Sequence, residues 1–181
     1  MRISTLLISF LVLISFKTPE TTFNENKKSP AFETRHSIVW ADSIISKLST
    51  EQKISQLFMV AGNGKNLGED YFKKVDTLIN RFNIGGLIFF KSSPSDLRSL
   101  IKRYNNLSKI PLLTGIDAEW GVSMRIDSSQ TFPWAMTIGA IQNDSLIYEM
   151  GRSVANQLNS LGVGINFAPV LDINNNPDNP I

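Results

Sequence analysis

The stretch LLTGIDAEWGVSMR, residues 112–125, begins with a run of apolar and small residues that ends on Asp117. Glu119 follows two places after Asp117, and Arg125 follows eight places after it. A short apolar run predicts a strand buried on both faces, as in a parallel sheet. An ionised carboxylate directly after such a run is costly to bury without partners. Either this strand ends at a site for a polar ligand, or Asp117 belongs to a solvated turn.

The segments around this run alternate between strand and helix patterns. Similar apolar runs that predict strands occupy residues 57–63, 84–91 and 163–172. Apolar residues at helical spacing predict helices at 38–48, 68–82, 93–108 and 143–162. Ser49 and Gln52 form a capping-box pattern that opens a further short helix. The regular alternation predicts parallel βαβ units and an α/β fold.

Two architectures contain such units, an open doubly wound sheet and a (β/α)₈ barrel. The stretch AGNGKNLG, residues 61–68, lacks the G-x-G-x-x-G spacing of a dinucleotide-binding turn, and no helix follows it directly. We therefore predict the barrel. A whole barrel needs about 250 residues and eight strands, and residues 38–181 hold about four strands. The expected fold is the N-terminal half of a TIM-type barrel, from a fragment or a shortened gene.

Composition argues against several functional classes. The 181 residues include 18 Lys plus Arg and 16 Asp plus Glu, a net charge of +2 without the basic excess of a nucleic-acid-binding protein. The chain has no cysteine, so a disulfide framework and a cysteine-based metal site are impossible. The single histidine, His36, lies in a polar segment and is interpreted as a surface residue.

The N-terminus has the pattern of an export signal. Arg2 precedes an apolar run at residues 3–16, which is shorter than the roughly 20 residues that span a bilayer. We interpret residues 1–16 as a signal peptide, 17–37 as a polar linker and 38–181 as the folded domain. The protein is then expected in the periplasm or outside the cell, with no stable membrane span after signal removal.

Polar residues stand at the ends of the four predicted strands. These residues are Asn63, Lys91, Asp117 and Asp172. The carboxyl ends of the strands carry the active site in a barrel, so the four residues could line a ligand-binding rim. They could equally mark the places where strands pass into polar loops.

Asp117 is the strongest candidate for ligand binding. Its carboxylate can accept hydrogen bonds from two hydroxyl groups, which is what holding a sugar requires. Arg125 carries a rigid fork of donors that could bind substrate or could pair with Asp117 or Glu119. Glu119 could be catalytic or could shape the loop.

These residues resemble a known family. The stretch 112–125 is similar to the D-x-E-G-G-x-V-x-R segment of glycoside hydrolase family 3, in its β-N-acetylhexosaminidase branch. Residues 48–60 resemble the opening motif of the family, 84–90 its second strand, and 131–181 the run from F-P-x-x-M to N-P-x-N-P. The resemblance extends from about Trp40 to Ile181. Trp120 departs from it, because glycine is commoner at that position.

The resemblance implies a barrel that removes terminal β-linked N-acetylhexosamine, with retention of configuration, from glycosides such as cell-wall fragments. Asp117 and Arg125 would bind the sugar in the −1 subsite. Asp172 and Asn176 would maintain the fold, and Glu119 and Lys91 would be secondary or structural. The implied partner is a carbohydrate, and neither a metal nor an organic cofactor is expected.

The resemblance also implies that no catalytic residue lies in this chain. Retention requires a carboxylate nucleophile and an acid/base. The family carries its nucleophile on a late aspartate, and the branch carries its acid/base on a K-H-x-P-G-H-G loop. Neither motif occurs in residues 1–181, so both groups are expected beyond Ile181 and the chain alone is expected to be inactive. A β-glucosidase or β-xylosidase of the same family, and a non-catalytic sugar-binding remnant, remain as alternatives.

Overall fold

The computed structural model describes residues 34–63, 68–172 and 175. The predicted signal peptide, most of the predicted linker and Asn176 lie outside these residues. The chain divides into two compact units, Met1–Asp42 and Ser43–Ile181. The first helix, α1 (Arg35–Ile45), starts in the first unit, has no buried residue and carries the exposed His36.

Helix α1 begins three residues before the predicted start at Ile38. The cause is a local cap, because Thr34 Oγ1 accepts a hydrogen bond from the Ser37 backbone N–H at 3.1 Å. The Ser37 hydroxyl in turn accepts from the Thr34 backbone N–H at 2.8 Å. These bonds satisfy backbone donors that the first helical turn leaves without partners.

The second unit is built on a four-stranded parallel sheet with strand order β1-β2-β3-β4. Its strands are β1 (Met59–Ala61), β2 (Gly86–Phe89), β3 (Leu113–Ile116) and β4 (Ile165–Asn166). Its helices are α2 (Thr50–Ser55), α3 (Glu69–Thr77), α4 (Pro94–Leu107), α5 (Ala135–Gly139) and α6 (Asp144–Leu161). Helix α3 continues as a π-helical turn at Leu78–Phe82. Sequential parallel strands joined by helices confirm the predicted α/β architecture.

The predicted helix boundaries rest on caps that the structure confirms. Ser49 and Gln52 form the complete capping box at the start of α2. Asn143 caps α6 by accepting from the Ser145 N–H at 3.0 Å. Gly162 ends α6 with φ of +80°, a left-handed conformation that a residue without Cβ adopts at little cost.

The core lies between the sheet and the helices α3, α4 and α6. Leu87 and Phe89 of β2 and Ile116 of β3 are fully buried. They belong to one cluster with helix residues that include Val75, Ile79, Leu97, Ile101, Tyr104, Val154 and Leu158. Full burial of one such side chain stabilises the fold by about 1.5–3 kcal/mol.

The end of α2 approaches the start of β2 so closely that only glycine fits. A Cβ built on Gly85 would lie 2.0 Å from the carbonyl oxygen of Gln56. Within β2, a Cβ on Gly86 would lie 2.8 Å from the Met59 methyl group. Within β3, a Cβ on Gly115 would lie 2.8 Å from the Phe167 ring. These glycines therefore allow backbone and large apolar side chains to pack directly against β2 and β3.

The fourth strand is shorter than predicted. It ends at Asn166, and Phe167 makes the last pairing bond when its N–H donates to the Ile116 carbonyl at 2.8 Å. Pro169 has no N–H with which to extend the ladder. The prediction that Asp172 closes this strand was wrong, since it lies six residues after Asn166. The sequence also did not predict α5, which lies between residue 125 and the predicted helix at 143–162.

Two asparagine side chains join neighbouring strand ends. Asn63, which follows β1, is 7% exposed; its Oδ1 accepts from the Phe90 N–H at 2.6 Å, and its Nδ2 donates to the Phe90 carbonyl at 3.4 Å. Asn166 of β4 likewise accepts from the Ala118 N–H at 2.9 Å and donates to the Ala118 carbonyl at 3.4 Å. The amide groups therefore continue the sheet beyond its backbone pairing.

Two tyrosine hydroxyls satisfy carbonyl groups at the carboxyl end of β1. Tyr71 donates to the Ala61 carbonyl at 2.7 Å, and Tyr104 donates to the Gly62 carbonyl at 3.0 Å. Burial raises the pKa of both Tyr71 and Tyr104 above its usual value. Each hydroxyl therefore keeps its proton, and so its role as donor, throughout the neutral range.

We expect Gly85→Ala to destabilise the domain by about 1–3 kcal/mol, because the added methyl group overlaps backbone that has no alternative rotamer. The measurement is the urea midpoint of the protein expressed from the complete reading frame that contains this chain. Gly151→Ala is the control. A Cβ there meets no atom within 4 Å, so it should raise stability by about 0.5–1 kcal/mol. Equal midpoints for the two variants would contradict the proposed close approach.

We expect Asn63→Ala to cost about 1–3 kcal/mol, because it leaves the Phe90 N–H without its acceptor. Asn80, which is exposed on the π-helical turn, provides the matched control, and Asn80→Ala should change stability by less than about 0.5 kcal/mol. Urea unfolding measures both. A loss for Asn63→Ala no larger than the loss for Asn80→Ala would show that the bridge between the strand ends is dispensable.

Candidate functional site

An acidic and a basic side chain meet at the carboxyl end of β3. Asp117 follows β3 directly, and Arg125 follows a short 3₁₀ helix at Val122–Met124. The Arg125 Nε donates to Asp117 Oδ1 at 2.6 Å, and Nη2 donates to Asp117 Oδ2. Of the alternatives that the sequence left open for Arg125, the structure shows the pair with Asp117. The two parallel hydrogen bonds give this pair a defined geometry.

The loop that carries Arg125 is anchored to the end of β2. The Ser92 N–H donates to the Arg125 carbonyl at 3.1 Å, and the Asp127 N–H donates to the Ser92 carbonyl at 3.1 Å. These bonds form an isolated parallel bridge between Ser92 and Ile126. The guanidinium carbon of Arg125 also lies 5.7 Å from the centre of the Phe90 ring, within cation–π range. The position of Arg125 is therefore set by both neighbouring strands.

The ion pair of Asp117 and Arg125 remains partly exposed to solvent. The Asp117 side chain is 23% exposed and the Arg125 side chain 24% exposed. Each carboxylate oxygen has a second lone pair that the bond from Arg125 does not use. The guanidinium has five N–H groups, of which two engage Asp117. A bound hydroxyl group could therefore donate to Asp117 while another ligand oxygen accepts from Arg125.

The secondary candidates take no part in the hydrogen bonds that join Asp117 to Arg125. Lys91 is exposed, and its backbone carbonyl accepts from Asn63 Nδ2 at 3.4 Å. Asp172 is exposed near the end of the described residues. Glu119 is half-buried and lines a groove of about 630 Å³ between the end of β3, helices α5 and α6, and residues after β4. The roles of all three residues stay predictions.

One residue at the strand ends was not recognised from the sequence. Asn166 holds the turn after Asp117 through its two bonds to Ala118. Its signal was present, because Asn166 is a polar residue inside the apolar run at 163–171. The apolar run continues past Asn166 to Leu171, so the pattern alone predicts a strand that ends at Asp172.

Neither a metal centre nor a membrane span is found in the described part of the chain. Across residues 34–63, 68–172 and 175, no three His, Cys, Asp or Glu side chains are grouped closely enough to hold a metal ion. Within those same ranges, no helix is both long and apolar enough to cross a membrane.

Comparison with known proteins finds relatives of this chain. The chain is 33% identical over 159 residues to beta-hexosaminidase A of Pseudoalteromonas piscicida, an alignment that covers 74% of this chain and 27% of that protein. It is 35% identical over 100 residues to a beta-hexosaminidase of Thiobacillus denitrificans, covering 50% of this chain and 28% of that protein. The chain therefore spans little more than a quarter of the length of these curated relatives.

A solved structure shares the fold. The beta-glucoside phosphorylase BglX, bound to 2FGlc, superposes with a TM-score of 0.70 at 23% identity, over 82% of this chain and 26% of that chain. The model of the glycosyl hydrolase family 3 N-terminal domain matches residues 49–181, which include the whole parallel sheet, Asp117 and Arg125. This chain therefore belongs to glycosyl hydrolase family 3 and carries sequence of its N-terminal domain.

Proposed function

We propose that this chain supplies the sugar-binding part of a retaining glycosidase. The proposed enzyme removes terminal β-linked N-acetylhexosamine from glycosides such as cell-wall fragments. The observation that carries the proposal is the partly exposed Asp117–Arg125 pair at the carboxyl end of β3, in a chain of glycosyl hydrolase family 3. The names of the two beta-hexosaminidase relatives support the choice of sugar.

The paired side chains have complementary roles toward a sugar. The Asp117 carboxylate accepts hydrogen bonds from ring hydroxyl groups, and the remaining N–H groups of Arg125 donate to sugar oxygens. Because Arg125 already orients the carboxylate, little side-chain freedom is lost when the sugar binds. The pair acts before any bond is broken, by placing the terminal sugar in a fixed position.

The reacting groups are proposed to lie outside residues 1–181. A retaining mechanism needs a carboxylate that attacks the anomeric carbon and an acid that protonates the leaving oxygen, about 5–5.5 Å apart in the usual two-carboxylate case. Asp117 is not assigned either role, because both of its oxygens accept hydrogen bonds from Arg125. Those bonds withdraw electron density from the carboxylate and so weaken it as a nucleophile.

We expect Asp117→Asn to lower kcat/KM for 4-nitrophenyl N-acetyl-β-glucosaminide about 10- to 150-fold, the range for a lost hydrogen bond to a charged group. The sugar contact is identified with substrates that lack the 3-, 4- or 6-hydroxyl group. Removal of the hydroxyl that binds Asp117 should cost the wild type more than it costs the variant.

Glu149→Gln is the matched control for this substitution. Glu149 also pairs with an arginine, Arg152, at 2.6 Å, but this pair is exposed on α6, so the substitution should leave kcat/KM unchanged. The contrary outcome is a loss of activity in Asp117→Asn by the same factor for the parent substrate and for all three deoxy substrates. That result would show that Asp117 only supports the loop, and it would overturn its assignment to sugar binding.

The substrate and the division of roles are tested with two proteins. The protein from the complete reading frame should cleave the N-acetylglucosaminide faster than the corresponding glucoside or xyloside, whereas residues 1–181 alone should show no turnover. Faster cleavage of the glucoside or xyloside would identify the alternative activity of the same family. Turnover by residues 1–181 would overturn the proposed location of the reacting groups, and no turnover by the longer protein would indicate a non-catalytic remnant.

A further inference from the structure

Two tryptophan side chains form a pair on the chain segments that follow β3. Trp120 lies three residues after Asp117, and Trp134 lies just before α5. Their ring centres are 6.3 Å apart and their planes are inclined by 32°. Trp134 remains 74% exposed despite this contact. Trp120 is half-buried, so the exposed aromatic surface of the pair belongs mainly to Trp134.

The pair is held in place by a close approach of two loops. Gly121 has φ of +116°, and a Cβ there would lie 2.8 Å from Cδ2 of Phe132. Its N–H donates to the Ala118 carbonyl at 3.1 Å, which closes the turn that follows Asp117. Since Trp120 precedes Gly121 and Trp134 lies two residues after Phe132, this contact brings the two indoles together. The same turn thus connects the aromatic pair to Asp117.

The chemistry of the surface suits a pyranose ring. Pyranose faces carry C–H groups that pack on an aromatic face, while the hydroxyl groups at the ring edge remain hydrogen-bonded to water or protein. An indole face attracts the slightly positive C–H hydrogens through its quadrupole. We propose that Trp120 and Trp134 form a platform that binds the sugar on the leaving-group side of the scissile bond. The inference rests on the proposed glycosidase function and extends it to the neighbouring sugar.

Exposure decides which sugar this platform binds. The terminal sugar needs polar groups that fix its hydroxyls, and the Asp117–Arg125 pair provides them with each side chain about three-quarters buried. The leaving-group sugar continues into the rest of the glycoside and must stay accessible to solvent. Trp134, with 74% of its surface exposed, is accessible enough to contact the leaving-group sugar. It has no group that would fix the hydroxyls of a terminal sugar in a buried pocket. The platform therefore selects glycosides whose second residue is itself a sugar.

The test compares a leaving group that has a sugar ring with one that has none. Using the protein from the complete reading frame, kcat/KM is measured for N,N′-diacetylchitobiose and for methyl N-acetyl-β-glucosaminide. Trp134→Ala and Trp120→Ala should each lower the value for the disaccharide by about three- to tenfold, the range of an aromatic contact. The value for the methyl glycoside should change by less than about twofold. Trp134→Tyr should recover most of the loss, because it restores an aromatic face.

Two controls separate the platform from effects on folding. Tyr148→Ala removes another exposed aromatic side chain, 70% exposed on α6, and should leave both substrates unaffected. Trp134→Leu keeps an apolar side chain without an aromatic face and should behave as Trp134→Ala does. Equal losses for both substrates, or no loss for either, would overturn the platform.

Failure of the proposed function gives a different result. If the wild type cleaves neither amino-sugar substrate, the same variants are compared on cellobiose and methyl β-glucoside. A selective loss on cellobiose would then retain the platform while overturning the assignment to amino sugars. Cleavage of none of the four substrates would overturn both proposals.

Discussion

Four residue pairs join β2 to β3 in parallel, from Gly86 opposite Leu113 to Phe89 opposite Ile116. Parallel pairing sends both strands out of the sheet at the same edge, so the residues that follow them become neighbours. The loop after β2 then pairs with the loop after β3 through Ser92 and Ile126. Without this register, Arg125 would have no fixed position and Asp117 would lack its partner.

The positions of the strand ends around the site depend more on hydrogen bonds between side chains and backbone than on ion pairs. The amide groups of Asn63 and Asn166 join neighbouring strand ends, and the two tyrosine hydroxyls donate to carbonyls at the carboxyl end of β1. Leaving a buried backbone group without such a partner costs about 1–3 kcal/mol. The partly exposed ion pair contributes less to stability, because solvent screens it. Its importance lies in orientation, since it presents the Asp117 carboxylate in one geometry.

The same turn after β3 serves the ion pair and the tryptophan pair. Gly121 adopts a backbone conformation that side chains rarely allow, and it lies against Phe132. The family that this stretch resembles commonly has glycine where this chain has Trp120, which places an aromatic side chain directly before Gly121 in this turn. A change at one position of such a turn can alter the sugar that is accepted without moving Asp117. The two pairs therefore share one stretch of backbone, the turn that follows β3.

The sequence by itself determined the alternation of strands and helices, the cap at Ser49, the glycine that ends α6 and the candidacy of Asp117. These features depend on neighbouring residues, so apolar periodicity and cap chemistry are enough to read them. Only the tertiary structure decided that Arg125 pairs with Asp117, that Asn166 rather than Asp172 lies at the end of β4, and that Trp120 meets Trp134. Each of these depends on strand register and on the close approach of separate loops. Packing between segments that are distant in the sequence sets the strand register and the approach of the loops. A pattern of neighbouring residues therefore cannot predict either.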